Sequence, residues 1–360
     1  MEVGMENLQG LETIRHLEIA FGNECNQHCV YCYQEDQRAG HEIPELIWKK
    51  RLLPVYPHLD YVTIIGGEPT IMKSVRQMVA FLGKEFPHVN LATISNGKCF
   101  DGFWQDCFLK RGRKVCFSVN AATAATHARI TQGSRFDDAI YNIARLTNRR
   151  EQESSSLQIH LGFVVTRENH HEAADFIQLG EMLRVDRCTF NLDFVRNLRA
   201  EHSAIKASLK SALEIAATSS IGVVGLEEIL RQLGEEVEFT KRSGDPDYYR
   251  QICAMPWQAL DIRKDGSVSF CNAAWLSLGS LKHKNMEDLW NSPVAVKMRQ
   301  LIAQGDYSMC KPDCTMNINP RLCGSRINYV MAARRCVEKV VHDPATASRK
   351  IFQKIRQRFQ

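Results

Sequence analysis

Three cysteines near the amino terminus stand close enough together to bind one metal cluster. Cys25, Cys29 and Cys32 lie in the segment GNECNQHCVYCYQ, with three and then two residues between them. Cysteine thiolates are the usual ligands of iron–sulfur clusters, and three of them on one loop can bind three irons of a cubic cluster. The remaining iron keeps an open coordination position, as catalytic metal centres do. The spacing therefore predicts a 4Fe–4S cluster that can take a further ligand.

A structural zinc site is the main alternative for these three cysteines. Zinc sites usually pair cysteines that are two residues apart, and they need another Cys or His nearby. The local candidates are His28 and His41, and neither stands at a familiar spacing. The pattern thus favours a cluster over zinc.

The composition of the whole chain agrees with metal binding. Its 360 residues include 13 cysteines, with no signal-peptide pattern and no apolar stretch of membrane length. We expect a cytoplasmic protein, in which thiols stay reduced and metal ligation is more natural than disulfides. The apolar share of 44% predicts a packed core. Because the net charge of +5 is modest and dispersed, we expect no nucleic-acid partner and no membrane contact.

A second group of cysteines lies in the last third of the chain. Its members are Cys253, Cys271, Cys310, Cys314, Cys323 and Cys336. The first two flank AMPWQALDIRKDGSVSF, which predicts a hairpin with its turn at residues 264–266. A hairpin would bring these two cysteines close together. We expect four scattered cysteines to be small core residues; they are Cys99, Cys107, Cys116 and Cys188.

Six apolar, β-branched segments alternate with segments of helical spacing. The predicted strands are 11–20, 61–67, 89–97, 114–120, 157–166 and 187–195. The predicted helices are 44–53, 74–86, 103–111, 136–149 and 169–183. This alternation predicts right-handed βαβ units and a parallel sheet. We expect an α/β fold, a partial (β/α)6 barrel, with its functional groups at the carboxyl ends of the strands.

The pattern changes after the sixth strand. Residues 199–250 have amphipathic helical spacing and are expected to form a helical connector after a barrel of residues 11–198. The Gly, Pro and Asp residues of KRSGDPDYYRQ mark a boundary before a cysteine-rich domain at 251–325. A basic helical tail is predicted for 326–360, most simply as a solvated helix.

Glycine and polar residues end the second, third and fourth predicted strands. They are Gly66, Gly67, Glu68, Pro69, Ser95, Asn96, Ser118 and Asn120. The two glycines would let the backbone approach a ligand closely, and Glu68 offers a carboxylate to an ammonium group. The alternative is an ordinary strand-to-helix turn at residues 66–69 and helix caps at the other positions.

The sixth predicted strand ends in FNLDFVR. Asn191, Asp193 and Arg196 alternate toward one face there. Asp193 is a candidate for a substrate contact or a proton acceptor. The alternative is that Asp193 caps the next helix or pairs with Arg196.

The three-cysteine motif, with the aromatic Tyr31 immediately before its last cysteine, resembles the signature of the radical S-adenosylmethionine (SAM) superfamily. The resemblance implies that the open iron binds the amino and carboxylate groups of SAM. It further implies that the reduced cluster cleaves SAM to methionine and a 5′-deoxyadenosyl radical, with a flavodoxin- or ferredoxin-type electron donor. The protein itself would bind and orient the reactants and exclude water.

Several strand ends are similar to SAM-binding segments of that family. Residues 66–69 resemble the loop that holds the methionine amino group, and Ser95 and Asn96 resemble polar residues at the methionyl end. Ser118 and Asn120 look like the pair that faces the ribose or the carboxylate. The fifth strand ends in VVTREN, which is similar to a family segment on the adenine side.

The segment LGSLKHKNMEDLWN, with the cysteines around it, resembles the carboxyl-terminal extension called SPASM, or its shorter form, twitch. Cys253, Cys271, Cys310 and Cys314 supply four thiolates, enough for one auxiliary 4Fe–4S cluster. A structural zinc ribbon is the alternative. The full two-cluster pattern needs more cysteines than this region has, so the last two could form an incomplete site or be free thiols.

The resemblance implies hydrogen abstraction, and the fate of the substrate radical stays open. An auxiliary cluster can accept an electron, so the first hypothesis is oxidation of a small metabolite or modification of a peptide. Because about ten residues precede the first strand, we expect no peptide-binding module ahead of it, which would favour a small metabolite. The alternatives are a redox-neutral epimerisation or rearrangement, and a non-catalytic iron–sulfur or zinc-binding protein.

Overall fold

A computed structural model describes residues 10–34, 42–193, 196–235, 253–272 and 276–310. Cys314, Cys323 and Cys336 lie outside the described residues. His41, the boundary segment 241–251 and the predicted tail 326–360 also lie outside the described residues.

A mostly parallel sheet of ten strands forms the framework of the described residues. Its strands are β1 (His16–Ala20), β3 (Tyr61–Ile65), β4 (Asn90–Ser95), β5 (Gly112–Ser118), β7 (Gln158–Val165), β8 (Arg187–Leu192), β9 (Gly222–Val224), β10 (Ala259–Ile262), β11 (Ser267–Ser269) and β12 (Gly279–Ser280). The first six coincide with the six predicted strands and pair in parallel in the order β1-β3-β4-β5-β7-β8. The predicted α/β fold with a partial barrel is confirmed.

Helices connect the parallel strands. They are α1 (Lys73–Glu85), α2 (Gly102–Arg111), α3 (Ala124–Ile130), α4 (Phe136–Gln152), α5 (Ala173–Met182), α6 (His202–Thr218), α7 (Leu226–Gln232), α8 (Met255–Gln258), α9 (Met286–Trp290) and α10 (Pro293–Ala303). The predicted helix at 44–53 is a π-helical segment, Leu46–Arg51. α1 shows why such segments fold: Val75, Met78, Val79 and Leu82 recur at helical spacing and are all buried. No helix of the described residues is long and apolar enough to cross a membrane.

The two faces of the sheet differ in character. On β5, Val115 and Phe117 are buried in the core, whereas Lys114 and Cys116 point to the opposite face and keep some exposure. β7 alternates in the same way along its whole length. Side chains of a strand alternate between faces, and residues in parallel register share a face. The face that carries Lys114 and Cys116 is called the open face below.

Two additions to the sheet were not predicted. Within the expected helical connector, β9 follows α6 and pairs in parallel with β8, with Arg187 opposite Gly222. On the other edge, β10 pairs in parallel with β1, with Leu17 opposite Leu260. The predicted hairpin at 264–266 is confirmed, since β10 and β11 are antiparallel and Gly266 takes a left-handed φ of 80° in the turn. The cysteine-rich region therefore extends the barrel sheet directly.

Candidate active site

The three predicted cluster ligands lie on the loop that leaves β1. Cys25, Cys29 and Cys32 are half-buried free thiols. Burial, with smaller contributions from the nearby Cys25 and Cys32, raises the pKa of the Cys29 thiol to about 12. Bound metal ions reverse this preference, because they favour the thiolate.

The arrangement of the thiols bears on which metal group they fit. In the described residues, no three His, Cys, Asp or Glu side chains converge as the ligands of a single metal ion do. In a cubic cluster each cysteine binds a different iron, so its thiols must be neighbours without meeting at one point. The three thiols are neighbours on one short loop, as the ligands of a cubic cluster are.

Backbone hydrogen bonds hold the cysteine loop against two other segments. Cys29 belongs to a short strand, β2 (His28–Cys29), which pairs antiparallel with β6 (Thr131–Gln132). On the other side, Gly67 N donates to Gly22 O at 2.9 Å and Glu68 N donates to Glu24 O at 2.8 Å. Neither β2 nor β6 was predicted, because strands of two residues carry no readable pattern.

The glycines at 66 and 67 also have a packing role that was not predicted. A Cβ atom on Gly67 would lie 2.1 Å from Glu24 O, and one on Gly66 would lie 2.7 Å from Gly22 O. Both values are far below van der Waals contact. In the structure these glycines admit the backbone of the cysteine loop, and their contact with a ligand stays a prediction.

Glu68 stands at the centre of the predicted SAM-binding residues. Its buried carboxylate accepts hydrogen bonds at Oε1 from Thr70 N (3.0 Å), Thr70 Oγ1 (2.6 Å) and Ser95 Oγ (2.9 Å). Its Oε2 accepts one bond, from Asn96 N at 2.7 Å. Burial raises the pKa of Glu68, and these hydrogen bonds oppose the rise. Oε1 is fully occupied, whereas Oε2 can still accept a donor such as an ammonium group.

The structure therefore brings together Glu68, which follows β3, and Ser95 and Asn96 at the end of β4. It also shows that the alternative is partly true, because Pro69 opens a short 3-10 turn that the Glu68 side chain caps. The side chain of Asn96 is occupied: its Nδ2 donates to Asn26 Oδ1 at 2.7 Å, and its Oδ1 accepts from Lys98 N at 3.0 Å. Asn96 thus ties β4 to the cysteine loop rather than presenting a free amide to a ligand.

Asn120 occupies a buried position after β5 with a left-handed φ of 60°. Its Nδ2 donates to the hydroxyl of Tyr31 at 2.6 Å, and its Oδ1 accepts from Val164 N at 2.7 Å. Asn169 donates to the carbonyls of Asn120 and Val164, both at 2.8 Å. Asn120 therefore holds Tyr31 in place. Ser118 is half-buried on the open face, in parallel register with Gly162.

The structure shows Asp193 paired with Arg196, and its catalytic role stays a prediction. The Asp193 side chain is fully buried, and its Oδ2 accepts from Arg196 Nε at 2.6 Å. Arg196 also makes two bonds to Glu168, at 2.9 and 3.0 Å. The pairing with Arg196, which the sequence left open, is the arrangement observed. A buried, paired carboxylate at a strand end stabilises the loop and is poorly placed to accept a substrate proton.

A pair of carboxylates on the open face was missed. Glu18 of β1 lies opposite Asp261 of β10 in parallel register. Burial and, to a smaller extent, the Asp261 carboxylate raise the pKa of Glu18 to about 7, against an opposing effect of Lys114. Asp261 is itself buried. The pair could not be predicted, because it depends on the long-range pairing of β10 with β1.

Three of the four predicted auxiliary ligands are described. Cys253 N donates to the Tyr307 hydroxyl at 3.4 Å, and Cys310 N donates to Tyr307 O at 2.8 Å, so this tyrosine links two of them. Cys271 follows β11 and packs against the same core. Cys314 lies outside the described residues. Among the scattered cysteines, Cys188 is fully buried, as predicted.

Two family models match the chain. Residues 19–177 match the radical SAM superfamily, and residues 253–315 match the iron–sulfur cluster-binding domain SPASM. Among curated proteins, a probable GTP 3′,8-cyclase of Saccharolobus solfataricus is 25% identical over 178 residues, 48% of this chain and 55% of that protein. The GTP 3′,8-cyclase of Desulforamulus reducens is 26% identical over 175 residues, 46% and 51% of the two chains. The chain thus spans about half the length of these relatives.

Solved structures show a similar fold. Streptococcus suis SuiB bound to S-adenosylmethionine has a TM-score of 0.57 at 14% identity, covering 80% of this chain and 68% of SuiB. The protein anSMEcpe with bound AdoMet has a TM-score of 0.56 at 15% identity, covering 91% and 95% of the two chains. Similarity at this identity establishes the architecture alone.

Proposed function

Because the chain belongs to the radical SAM superfamily and carries a SPASM-type domain, we propose that it catalyses the two-electron oxidation of a small-molecule or peptide substrate. Its cofactors are SAM, a 4Fe–4S cluster and an auxiliary iron–sulfur centre. When bound, they supply a hydrogen-abstracting 5′-deoxyadenosyl radical and a one-electron acceptor. We assign the SAM-binding cluster to Cys25, Cys29 and Cys32, and the auxiliary centre to Cys253, Cys271, Cys310 and Cys314.

The protein's own residues bind and orient the reactants. Glu68 Oε2 is the proposed acceptor for the methionine ammonium of SAM, since Oε1 is already saturated by Thr70 and Ser95. Ser118, on the open face at the end of β5, is a proposed contact of the ribose or carboxylate. A flavodoxin- or ferredoxin-type protein is the proposed electron donor.

The observation that supports an oxidation is the carboxylate pair on the open face. Oxidation removes one hydrogen atom, one proton and one electron from the substrate, and a double bond forms in the product. The proton needs a base whose pKa is near the working pH. Glu18, with its pKa raised to about 7, meets that requirement. Asp193, which the sequence suggested for this role, is occupied by Arg196.

Asp261 connects this proton acceptor with the auxiliary domain. It lies on β10, the first strand of the SPASM-matched region, and pairs in register with Glu18 of the barrel. Its negative charge raises the proton affinity of Glu18, whereas Lys114 from β5 limits the rise. The same sheet pairing that attaches the auxiliary region to the barrel thus adjusts the base.

Redox-neutral epimerisation is the second candidate, and one residue favours it. An epimerase must return a hydrogen atom to the substrate radical, for which a thiol is suited. Cys116 is half-buried on the open face, 3.4 Å from the position of a Cβ on Gly162. Cys188 is excluded from this role, because it is buried against the backbone of α5.

Turnover in deuterated buffer separates the two candidates. Anaerobic incubation with SAM, dithionite and candidate substrates should give a product lighter by two hydrogen atoms, with one 5′-deoxyadenosine per product. Glu18→Gln should suppress product and leave 5′-deoxyadenosine formation largely intact, whereas Cys116→Ala should have little effect. A product of unchanged composition that gains one solvent deuterium, and is lost in Cys116→Ala, would refute oxidation and establish epimerisation.

A further inference from the structure

Gln27 has an unusual position between two cluster ligands. It lies between Cys25 and Cys29 and is only 2% exposed. Its Nε2 has no hydrogen-bond partner among the described residues, while its Oε1 lies 3.5 Å from the Cys29 sulfur. A buried amide N–H without an acceptor is costly, so an acceptor is expected where it points.

Metal ligation of Cys29 changes which atom of the Gln27 amide can form a hydrogen bond with its sulfur. As a thiol, Cys29 can donate to Oε1. As a ligand it is a thiolate, which has no proton to give and only accepts hydrogen bonds. Half a turn about the last side-chain bond exchanges the oxygen and nitrogen of Gln27 without moving the rest of the residue. Nε2 then lies at the Cys29 sulfur, where it can donate a hydrogen bond to the thiolate.

Tyr31 contributes a second donor to the same sulfur. Its hydroxyl accepts a hydrogen bond from Asn120 Nδ2 at 2.6 Å. The hydroxyl proton is therefore directed elsewhere. Burial raises the pKa of the Cys29 thiol, and the Tyr31 hydroxyl opposes that rise, as a donor to the sulfur does. Asn120 is fixed by Val164 N and by Asn169, so the hydroxyl has little freedom to turn away. By contrast, burial raises the pKa of the Cys25 thiol, and the backbone of Gln27 and Asn26, rather than one of their side chains, opposes that rise.

We propose that Gln27 and Tyr31 donate hydrogen bonds to the Cys29 thiolate and thereby raise the reduction potential of the SAM-binding cluster, with Asn120 as a positioning residue that acts through Tyr31. The proposal rests on the cluster assignment and not on the oxidation chemistry. Reduction adds negative charge to the cluster and its sulfurs, and donors to sulfur stabilise the reduced state more than the oxidised one. Donors in a buried place act with little screening by water.

A redox titration followed by electron paramagnetic resonance tests the proposal. The reconstituted full-length protein is titrated, and the SAM-binding cluster is recognised by the signal that changes when SAM is added. Gln27→Leu, Gln27→Met and Tyr31→Phe each remove one donor. Each should lower the reduction equilibrium constant about three- to tenfold, which is about 30 to 60 mV for a one-electron couple. Tyr141→Phe on α4, a tyrosine that is 67% exposed, is the control and should not change the potential.

Asn120 separates a positioning role from a merely structural one. Asn120→Gly keeps the left-handed backbone accessible and removes the bond to Tyr31. The reduction potential of the cluster in Asn120→Gly should fall as far as it does in Tyr31→Phe. In the double variant Asn120→Gly/Tyr31→Phe it should fall no further. Unchanged potentials in the Gln27 and Tyr31 variants at full iron content would overturn the proposal. Loss of iron in Tyr31→Phe and in both Gln27 variants would also overturn it, since these residues would then hold the cluster rather than set its potential.

Discussion

Replacing Gly67 by alanine tests whether the turn at 66–67 serves the packing of the cysteine loop. The new Cβ would lie 2.1 Å from Glu24 O and 2.6 Å from Glu24 C, both backbone atoms that no side-chain rotation can move away. The loop must shift, and the bonds from Gly67 N to Gly22 O and from Glu68 N to Glu24 O are strained or lost. Two hydrogen bonds at about 1 kcal/mol each, with about 1 to 3 kcal/mol of overpacking, predict a destabilisation of about 3 to 5 kcal/mol.

Gly102→Ala is the matched control. Gly102 is the first residue of α2, and no atom lies within 4 Å of its hypothetical Cβ. Alanine there should be neutral or stabilise the protein by up to about 1 kcal/mol, through its helix propensity. Urea denaturation of the metal-free proteins measures both changes, and iron content after reconstitution should fall only in Gly67→Ala. Equal stability and equal iron content in the two variants would refute the packing role of Gly67.

Further predictions concern the carboxylates and the auxiliary domain. The pKa of Glu18 is raised from 4.5 to about 7, so its contribution to stability is complete below pH 4.5 and is lost as the pH rises through 7. Glu18→Gln should therefore be more stable than the parent at pH 8, by up to about 3 kcal/mol, and equally stable at pH 4; an equal gain at both values would contradict the raised pKa. Asp193→Asn should destabilise the protein by about 1 to 3 kcal/mol yet preserve turnover, whereas lost turnover at unchanged stability would restore its catalytic role. Cys253→Ala and Cys271→Ala should each lower iron content and impair turnover while 5′-deoxyadenosine formation continues; loss of SAM cleavage would argue against separate roles for the two centres.

The elements predicted best are those with strong local patterns. The six parallel strands carry runs of β-branched and apolar residues. The hairpin turn contains Gly266, whose positive φ favours glycine. The cysteine motif was equally local. By contrast, β9 has three residues, and β2 and β6 have two each, too few to show a period.

The site was harder to predict because neighbours in space decide each role. The sequence places Glu68 and Ser95 at strand ends, but it does not show that three donors saturate one carboxylate oxygen of Glu68. It offers two roles for Asp193, and only the bond to Arg196 decides between them. Glu18 becomes notable only when Asp261 is brought beside it by a strand more than two hundred residues away.

The cleavage of SAM by the reduced protein tests the central claim most directly. The anaerobically reconstituted chain, incubated with SAM and dithionite, should release 5′-deoxyadenosine and methionine. Cys25→Ala, Cys29→Ala and Cys32→Ala should each abolish both products, because three thiolates are needed to leave one iron open. A protein that binds only zinc at this loop, or that holds a full cluster and leaves SAM intact under strong reductant with its substrate present, would contradict the account.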